Sequence, residues 1–379
     1  MSAMSARRWN AAKCIAALLS AVKGCQIRSS CGARSLRAAA EWAFSMQFLR
    51  LLASIGTGVL AAGSAGPGAA ADFYQGKTLT VIVGYAPGGG VDTTARAVTR
   101  HLGRFIPGNP AVTVQNMEGA AGIVSVNHLV RRVAPDGLTL GIPGRSWFVE
   151  GIVKRAGAAF DPVALTYIGS PGSVTSAAYI RTATGIRSFD ELKASGRPVS
   201  FGALGAGSHT ATVPNLLAAA GAPIKVILGY VSTARILLAL EQGEIDGSFT
   251  TGDGLANRTA LTKQVVPIVQ SAARYPGLPL LRDVIRPEHR PVLDLVLATD
   301  AFGVPIVGPP GMETAQTAIL RQAFIAMAQD QDYQAAARRV ELPVGSPIEG
   351  GKLADMMRTL AAATTPEVIA EFQKLASGK

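Results

Sequence analysis

Residues 81–102, VIVGYAPGGGVDTTARAVTRHL, place three consecutive glycines between an apolar run and an amphipathic segment. Val81, Ile82 and Val83 are β-branched and apolar, the pattern of a strand buried on both faces. Pro87, Gly88, Gly89 and Gly90 then strip side chains from the turn that follows Tyr85. Asp92 or Thr93 is positioned to N-cap a helix from Thr94 onward, with Ala95, Val98 and Leu102 along one face. A bare turn feeding a helix presents backbone N–H groups and the positive end of a dipole to whatever approaches, which outlines an anion pocket. Such turns also serve simply to let a strand and a helix approach closely.

The chain repeats this device. VSFGALGAGSHTATVPNLLAAAG runs from an apolar strand through Gly202, Gly205 and Gly207 to Ser208, His209 and a helix. Between and around the two turns, strand and helix signals alternate with short connections, which predicts an α/β architecture. LTLGI, VALTYIGSP, SAAYIR, IKVILGY, IDGSFT and VVPIVQS read as β-like stretches, and TARILLALEQG as a helix closed by Gly243. Ser188 and Glu191 form a capping box in SFDELKAS. After Gly277 the texture turns proline-rich and then helical. No repeat period of solenoid length recurs. Two glycine turns far apart in the chain predict one in each of two lobes, facing across a cleft that could clamp a small acid.

The net charge of +11 invites a nucleic-acid reading until it is divided. Residues 1–71 hold eight of the 36 basic residues and one of the 25 acids, so the remainder carries only +4. With no basic run interleaved with aromatics there, nucleic acid is not an expected partner. All three cysteines, Cys14, Cys25 and Cys31, lie in the same leader, so the body offers no disulfide, thiolate ligand or cysteine nucleophile. From Met46, MQFLR, LLASIGTGVLAAG and PGAAADF reproduce a basic start, an apolar stretch and a small-residue cleavage site before Asp72. The apolar stretch is short for a span of about 20 residues. The expectation is export to the periplasm of a mature chain near 72–379, with Met46 as the start and residues 1–45 as an upstream extension.

FYQGKTLTVIVGYAPGGGVDTTARAV, VTVQNMEGAAGIVSVNHLVRRVAPDGLTLGI, GSHTATVPNLL, GYVSTARILLALEQGEIDGSF and the tail from GPPGM to ELPV closely resemble the tripartite tricarboxylate transporter substrate-binding proteins, the Bug family. The resemblance covers essentially all of 72–379 in order. It implies a type II periplasmic binding-protein fold, two α/β lobes with a ligand cleft between them and joined by crossing strands. Lobe 1 is expected over 72–175 plus 268–379 and lobe 2 over 176–267. It further implies capture of a small organic carboxylate for membrane permease components, with the carboxylate held largely by backbone N–H groups and waters.

Carried onto this sequence, the resemblance points to Pro87, Gly88, Gly89 and Asp92, flanked by Tyr85 and Gly90, in one lobe, and to Gly207 and Ser208 in the other. Tyr230 and Asp253 fall at loop positions that line the cleft in relatives. Arg145 and Ser146 follow the LTLGIP strand, where relatives also place cleft residues. An arginine there is a natural bidentate partner for a carboxylate, or equally a solvated loop residue. His209 departs from the family spacing, which leaves its role open. Asp92 reads as a loop brace or an amine-binding group, because a carboxylate repels an anionic ligand. Tyr230 serves packing as readily as binding, and Asp253 an Asx turn.

The four histidines are scattered without ligand spacing, so no metal is expected, and no cofactor motif occurs. Gly-x-Ser-x-Gly, P-loop and Gly-x-Gly-x-x-Gly patterns are absent from the body, which argues against an enzyme. Two rival readings remain: a sensor subunit for a periplasmic signalling system, and an enzyme using Ser208 and His209 on a carboxylated substrate. A monomer is the expectation at the level of the fold.

Overall fold

The apolar run at 78–83 becomes strand β1 (Thr78–Val83), with Leu79, Val81, Ile82 and Val83 all buried. The computed structural model describes residues 73–377 apart from 253, 254, 256, 257 and 341. The leader and the candidate Asp253 therefore lie outside the described residues. Parallel neighbours flank β1 on both sides, β2 (Ala111–Asn116) and β3 (Thr139–Ile142). Helices α1 (Gly90–Leu102) and α2 (Ile123–Arg132) connect them as crossovers, followed by the short α3 (Trp147–Ile152) and β4 (Thr166–Ser170).

The chain then enters a second sheet built from β5 (Ser176–Arg181), β6 (Val199–Gly202), β7 (Ile224–Ile227), β8 (Gly247–Thr251) and β9 (Val265–Gln270), in the order β7-β6-β8-β5-β9. Helix α4 (His209–Ala219) follows β6, and α5 (Thr233–Gln242) follows β7. After α6 (Arg290–Phe302) the chain returns with β10 (Ile306–Gly308), antiparallel between β3 and β4. Helix α7 (Thr314–Gln329), edge strand β11 (Ile348–Glu349), α8 (Gly350–Ala363) and α9 (Pro366–Ala376) complete the chain. The first sheet thus has the order β11-β4-β10-β3-β1-β2, and the architecture is two α/β lobes, each built on one sheet.

The expected return to the first lobe at 268 falls inside β9, which pairs with β5 as far as Gln270. The tail is also divided. Helices α7 and α8 pack on β4, whereas α6 and α9 pack on α4 of the second sheet. Asn215 on α4 donates to the carbonyl of Leu375 at 2.7 Å, which fixes the last helix there. Sequence periodicity shows that these helices are amphipathic but not which sheet covers each apolar face.

One apolar cluster runs from Leu129, Trp147 and Phe148 to Phe201, Val213 and Phe249 of the second sheet. A second lies around Val81, Val98, Leu140 and Phe324. Each large side chain removed from water in this way contributes about 1.5–3 kcal/mol. The crossings between the sheets are tied at one carboxylate. Asp300 accepts from Ser176 N (3.0 Å), Ser176 Oγ (2.8 Å) and Ser271 Oγ (2.6 Å), so the start of β5 and the end of β9 share an anchor. The crossings pass so closely that a Cβ on Gly303, which has φ +62°, would lie 1.9 Å from the carbonyl oxygen of Gly172. Only glycine fits there.

Candidate functional site

The turn after β1 is organised by Asp92. The helix starts earlier than expected, at Gly90, with Gly89 as its N-cap residue. Asp92 consequently sits inside the first turn, where its buried carboxylate folds back on the loop. It accepts from Gly88 N (2.9 Å), Arg96 Nε (2.8 Å) and Asn116 Nδ2 (2.8 Å). Burial pushes its pKa up, but the bonds from Arg96, Asn116 and Gly88 and the Arg96 charge outweigh it and hold the carboxyl below its ordinary value. Asn116 also donates to the carbonyl of Tyr85 at 2.8 Å, so the loop is braced at both ends.

Gly207 in the turn after β6 has φ +86°, and a Cβ on it would meet Arg155 Nη1 at 2.9 Å. Arg155 donates from Nη1 to the carbonyl of Ala206 (2.7 Å) and to Glu150 Oε1 (2.8 Å). Glu150 is almost fully buried, which raises its pKa against the pull of Arg155. Ser208 is the N-cap residue of α4, yet its hydroxyl donates to the carbonyl of Gly205 (2.6 Å) and pairs with Thr210 Oγ1 (2.8 Å) instead of capping the helix.

A cavity of about 810 Å³ opens beside both turns. Its wall includes Tyr85, Pro87, Gly88, Gly89 and Gly90 from the first turn, Arg145 and Ser146 from the end of β3, and His209 from the start of α4. The structure therefore brings eight of the expected site residues to one space. Asp92, Gly207, Ser208 and Tyr230 are off the wall: Asp92, Gly207 and Ser208 for the reasons above, and Tyr230 because it packs against the apolar cluster around Ile236 and Leu240.

Arg145 brings a positive charge to the wall that His209 and Tyr85 both feel. Its Nη1 is buried without a hydrogen-bond partner. His209 is pushed down to about 3 by burial and by the Arg145 charge, so the imidazole is neutral near pH 7. Its Nδ1 lies 3.4 Å from Ser146 Oγ. Tyr85, against whose ring Gly144 packs, is pushed up to about 12 by burial, with Arg145 opposing the shift and Glu150 adding to it. The phenol therefore stays protonated, a donor or acceptor rather than a charge.

Among the segments of the wall that escaped sequence reasoning, two are built from distinctive backbone. Glu118, Gly119, Ala120 and Ala121 line the cavity with Ala120 and Ala121 at φ +46° and +55°, a backbone that costs non-glycine residues about 1–2 kcal/mol each. Val231, Ser232, Thr233 and Ala234 contribute the N-terminus of α5, where Ser232 Oγ accepts from Arg235 N. A serine ahead of an apolar-periodic helix was the available signal for the second; the first had the glycine pair in EGAAG. Among the described residues no group of three or more His, Cys, Asp or Glu side chains is placed to hold a metal, and no helix is long and apolar enough to cross a membrane.

No protein-family model matches the chain. A 95-residue stretch is 40% identical to Protein BugT of Bordetella pertussis and covers 25% of this chain. The matched segments span 28% of BugT and 62% of a second curated relative, less than two thirds of either. Among solved structures, the periplasmic binding protein BugD is similar with a TM-score of 0.61 at 17% identity, covering 80% of this chain and 98% of BugD. MatC from Rhodopseudomonas palustris with bound malate gives a TM-score of 0.58 at 18% identity, covering 79% of this chain and 99% of MatC. The match to BugT agrees with the Bug-family resemblance over that 95-residue stretch, and the solved structures share the fold.

Proposed function

We propose that this chain is an extracytoplasmic solute-binding protein that captures a small organic carboxylate and delivers it to the permease components of a tripartite tricarboxylate-type transporter. The observation that carries the reading is the unpartnered, buried guanidinium nitrogen of Arg145, a residue on the wall of a cavity lined by the first glycine turn and by Leu204 and His209 of the second. A carboxylate supplies the acceptor that this group lacks, through two parallel charge-assisted bonds. Free backbone N–H groups at Gly89 and Gly90 and the N-termini of α4 and α5 add donors and partial positive charge around it. Malate bound in the MatC structure supports the ligand class, and the likeness to the periplasmic binding protein BugD supports a periplasmic setting.

The lobes move about the crossings at 171–175 and 271–305 in this reading, with Asp300 as the pivot and α9 travelling with the second lobe. Binding shifts an open–closed equilibrium because only the closed form brings both turns onto the ligand. Capture without turnover suits the geometry. Ser208 spends its hydroxyl on Gly205 and Thr210 while His209 faces Ser146, so the adjacent Ser208 and His209 do not form a nucleophile–base pair. The protein is proposed to act as a monomer.

A thermal-shift panel of organic acids against their uncharged amides tests the reading. A ligand at 100 times its Kd stabilises the fold by about 2.7 kcal/mol. Stabilisation by an acid but not by its amide is expected; a shift produced only by uncharged compounds would contradict it.

A further inference from the structure

Among the described residues two arginines line the cavity, and Arg145 is the one with a buried nitrogen lacking an acceptor. Arg258 donates to Glu241 Oε2 at 3.2 Å and to the carbonyl of Ala234 at 3.3 Å. Arg145 has Nη1 buried and unbonded. Burial raises the Asp300 pKa against the bonds from Ser271 and Ser176 and the Arg145 charge, and its oxygens are already occupied by Ser176 and Ser271. Glu118 adds a negative charge to the wall and His209 adds none. At the first turn, the Gly88 N–H is already bonded to Asp92, so an internal carboxylate occupies a donor that a ligand would otherwise take.

Beside hydroxyl residues such as Ser232, Thr233, Thr250 and Thr251, apolar side chains take much of the remaining wall. Val174, Leu204, Val231, Leu237, Val304 and Leu342 all face the cavity. Val231 is 83% exposed, a large apolar side chain beside the pocket with almost no protein cover. An uncovered valine beside a ligand space gains most from an apolar surface laid against it.

We infer that the cavity is built for a monocarboxylate with an apolar body, Arg145 taking the single carboxylate and the valine and leucine wall taking the hydrocarbon. This rests on the carboxylate-capture reading above and narrows it. A second carboxylate on the ligand would lie against the apolar wall or near Glu118. There it surrenders its hydration without gaining a second unpaired cation, and neutral hydroxyl or backbone donors compensate the desolvation of a charge less fully than a guanidinium does. The guanidinium fork is matched by one carboxylate, which satisfies the orphan nitrogen and leaves no further cation to pair.

Calorimetric titration of the purified protein with matched compounds tests this: hexanoate, adipate and hexanamide, and benzoate, terephthalate and benzamide. The expected result is that in the pairs each monoacid binds at least about tenfold more tightly than its diacid, and about thirtyfold more tightly than its amide. Arg145→Gln should erase the difference between acid and amide. Tighter binding of a diacid overturns the inference and leaves carboxylate capture standing. Amides that bind as well as acids, or silence of every acid up to about 10 mM, overturn both.

A second measurement needs no ligand. Arg145→Met removes a buried nitrogen without a partner, so the melting temperature of the free protein should rise by about 2 °C. A fall would show that Arg145 is held for structure, which also overturns the inference.

Discussion

At the turn after β1 the glycines are held from within. Asp92, four residues on, reaches back to Gly88 N, and Asn116 on the adjacent strand closes the brace. At the turn after β6 they are held from outside. Arg155, 51 residues before Ala206 and itself paired with buried Glu150, grips the turn from the far end of α3. The two turns share a sequence pattern but differ in physical state. The first is a rigid piece of its own lobe with part of its helix dipole already neutralised by its own carboxylate. The position of the second is set by a residue that belongs to the first sheet's side of the molecule, so it registers how the halves sit against each other. A pattern of glycines therefore identifies where backbone can approach a ligand, and the charges packed around it decide which donors remain free.

The largest expected effect comes from removing the internal brace. Asp92→Ala leaves Gly88 N and Asn116 without their acceptor and should cost about 2–4 kcal/mol of stability, measured by chemical denaturation. Because the folded-state pKa of Asp92 is depressed, its contribution is complete above the unfolded value of about 4 and is lost as pH falls through the lower folded value. Wild type should therefore lose stability in that acid window more steeply than the variant, and parallel acid limbs would remove Asp92 from its proposed role.

Gly89→Val probes the same turn from the cavity side. Gly89 has φ −80° and ψ 168°, which valine adopts readily, and a Cβ there meets only the carbonyl of Ala86 at 3.7 Å. The variant should fold normally and bind about thirtyfold more weakly, a loss of about 2 kcal/mol. Undiminished affinity would take the first turn out of the site.

Arg155→Ala tests the external brace. It leaves Glu150 buried without its cation, and the partial exposure of Arg155 tempers the loss to about 1–2 kcal/mol of stability, with affinity reduced about fivefold. Were affinity to stay at the wild-type value while stability fell, the second turn would not depend on its contact with the first half. Ser208→Ala is the smallest case. The hydroxyl serves only its own turn, so the change should cost less than about 1 kcal/mol and leave affinity unaltered. A large loss of binding there would restore Ser208 to the site.

Much of the fold was legible in the sequence because its signals are local. The β-branched run at 81–83, the apolar face of Ala95, Val98 and Leu102, and the capping box in which Ser188 accepts from Glu191 N are each settled within a few residues. The site was legible only as far as the backbone carries it. The glycine loop and the position of Arg145 after β3 follow from the strand order. What sequence could not show are the long-range choices: Arg155 reaching Ala206, α6 and α9 docking on α4, and Ser208 turning inward while His209 turns to the wall. Each depends on which of several equivalent surfaces meet when the sheets come together.

The most direct measurement is backbone hydrogen exchange across 84–91 and 204–210, with and without the tightest-binding acid from the panel. The account predicts that ligand slows exchange in both segments, because both turns close on the same molecule. Protection confined to one segment, or absent from both, would contradict a cleft shared by the two turns.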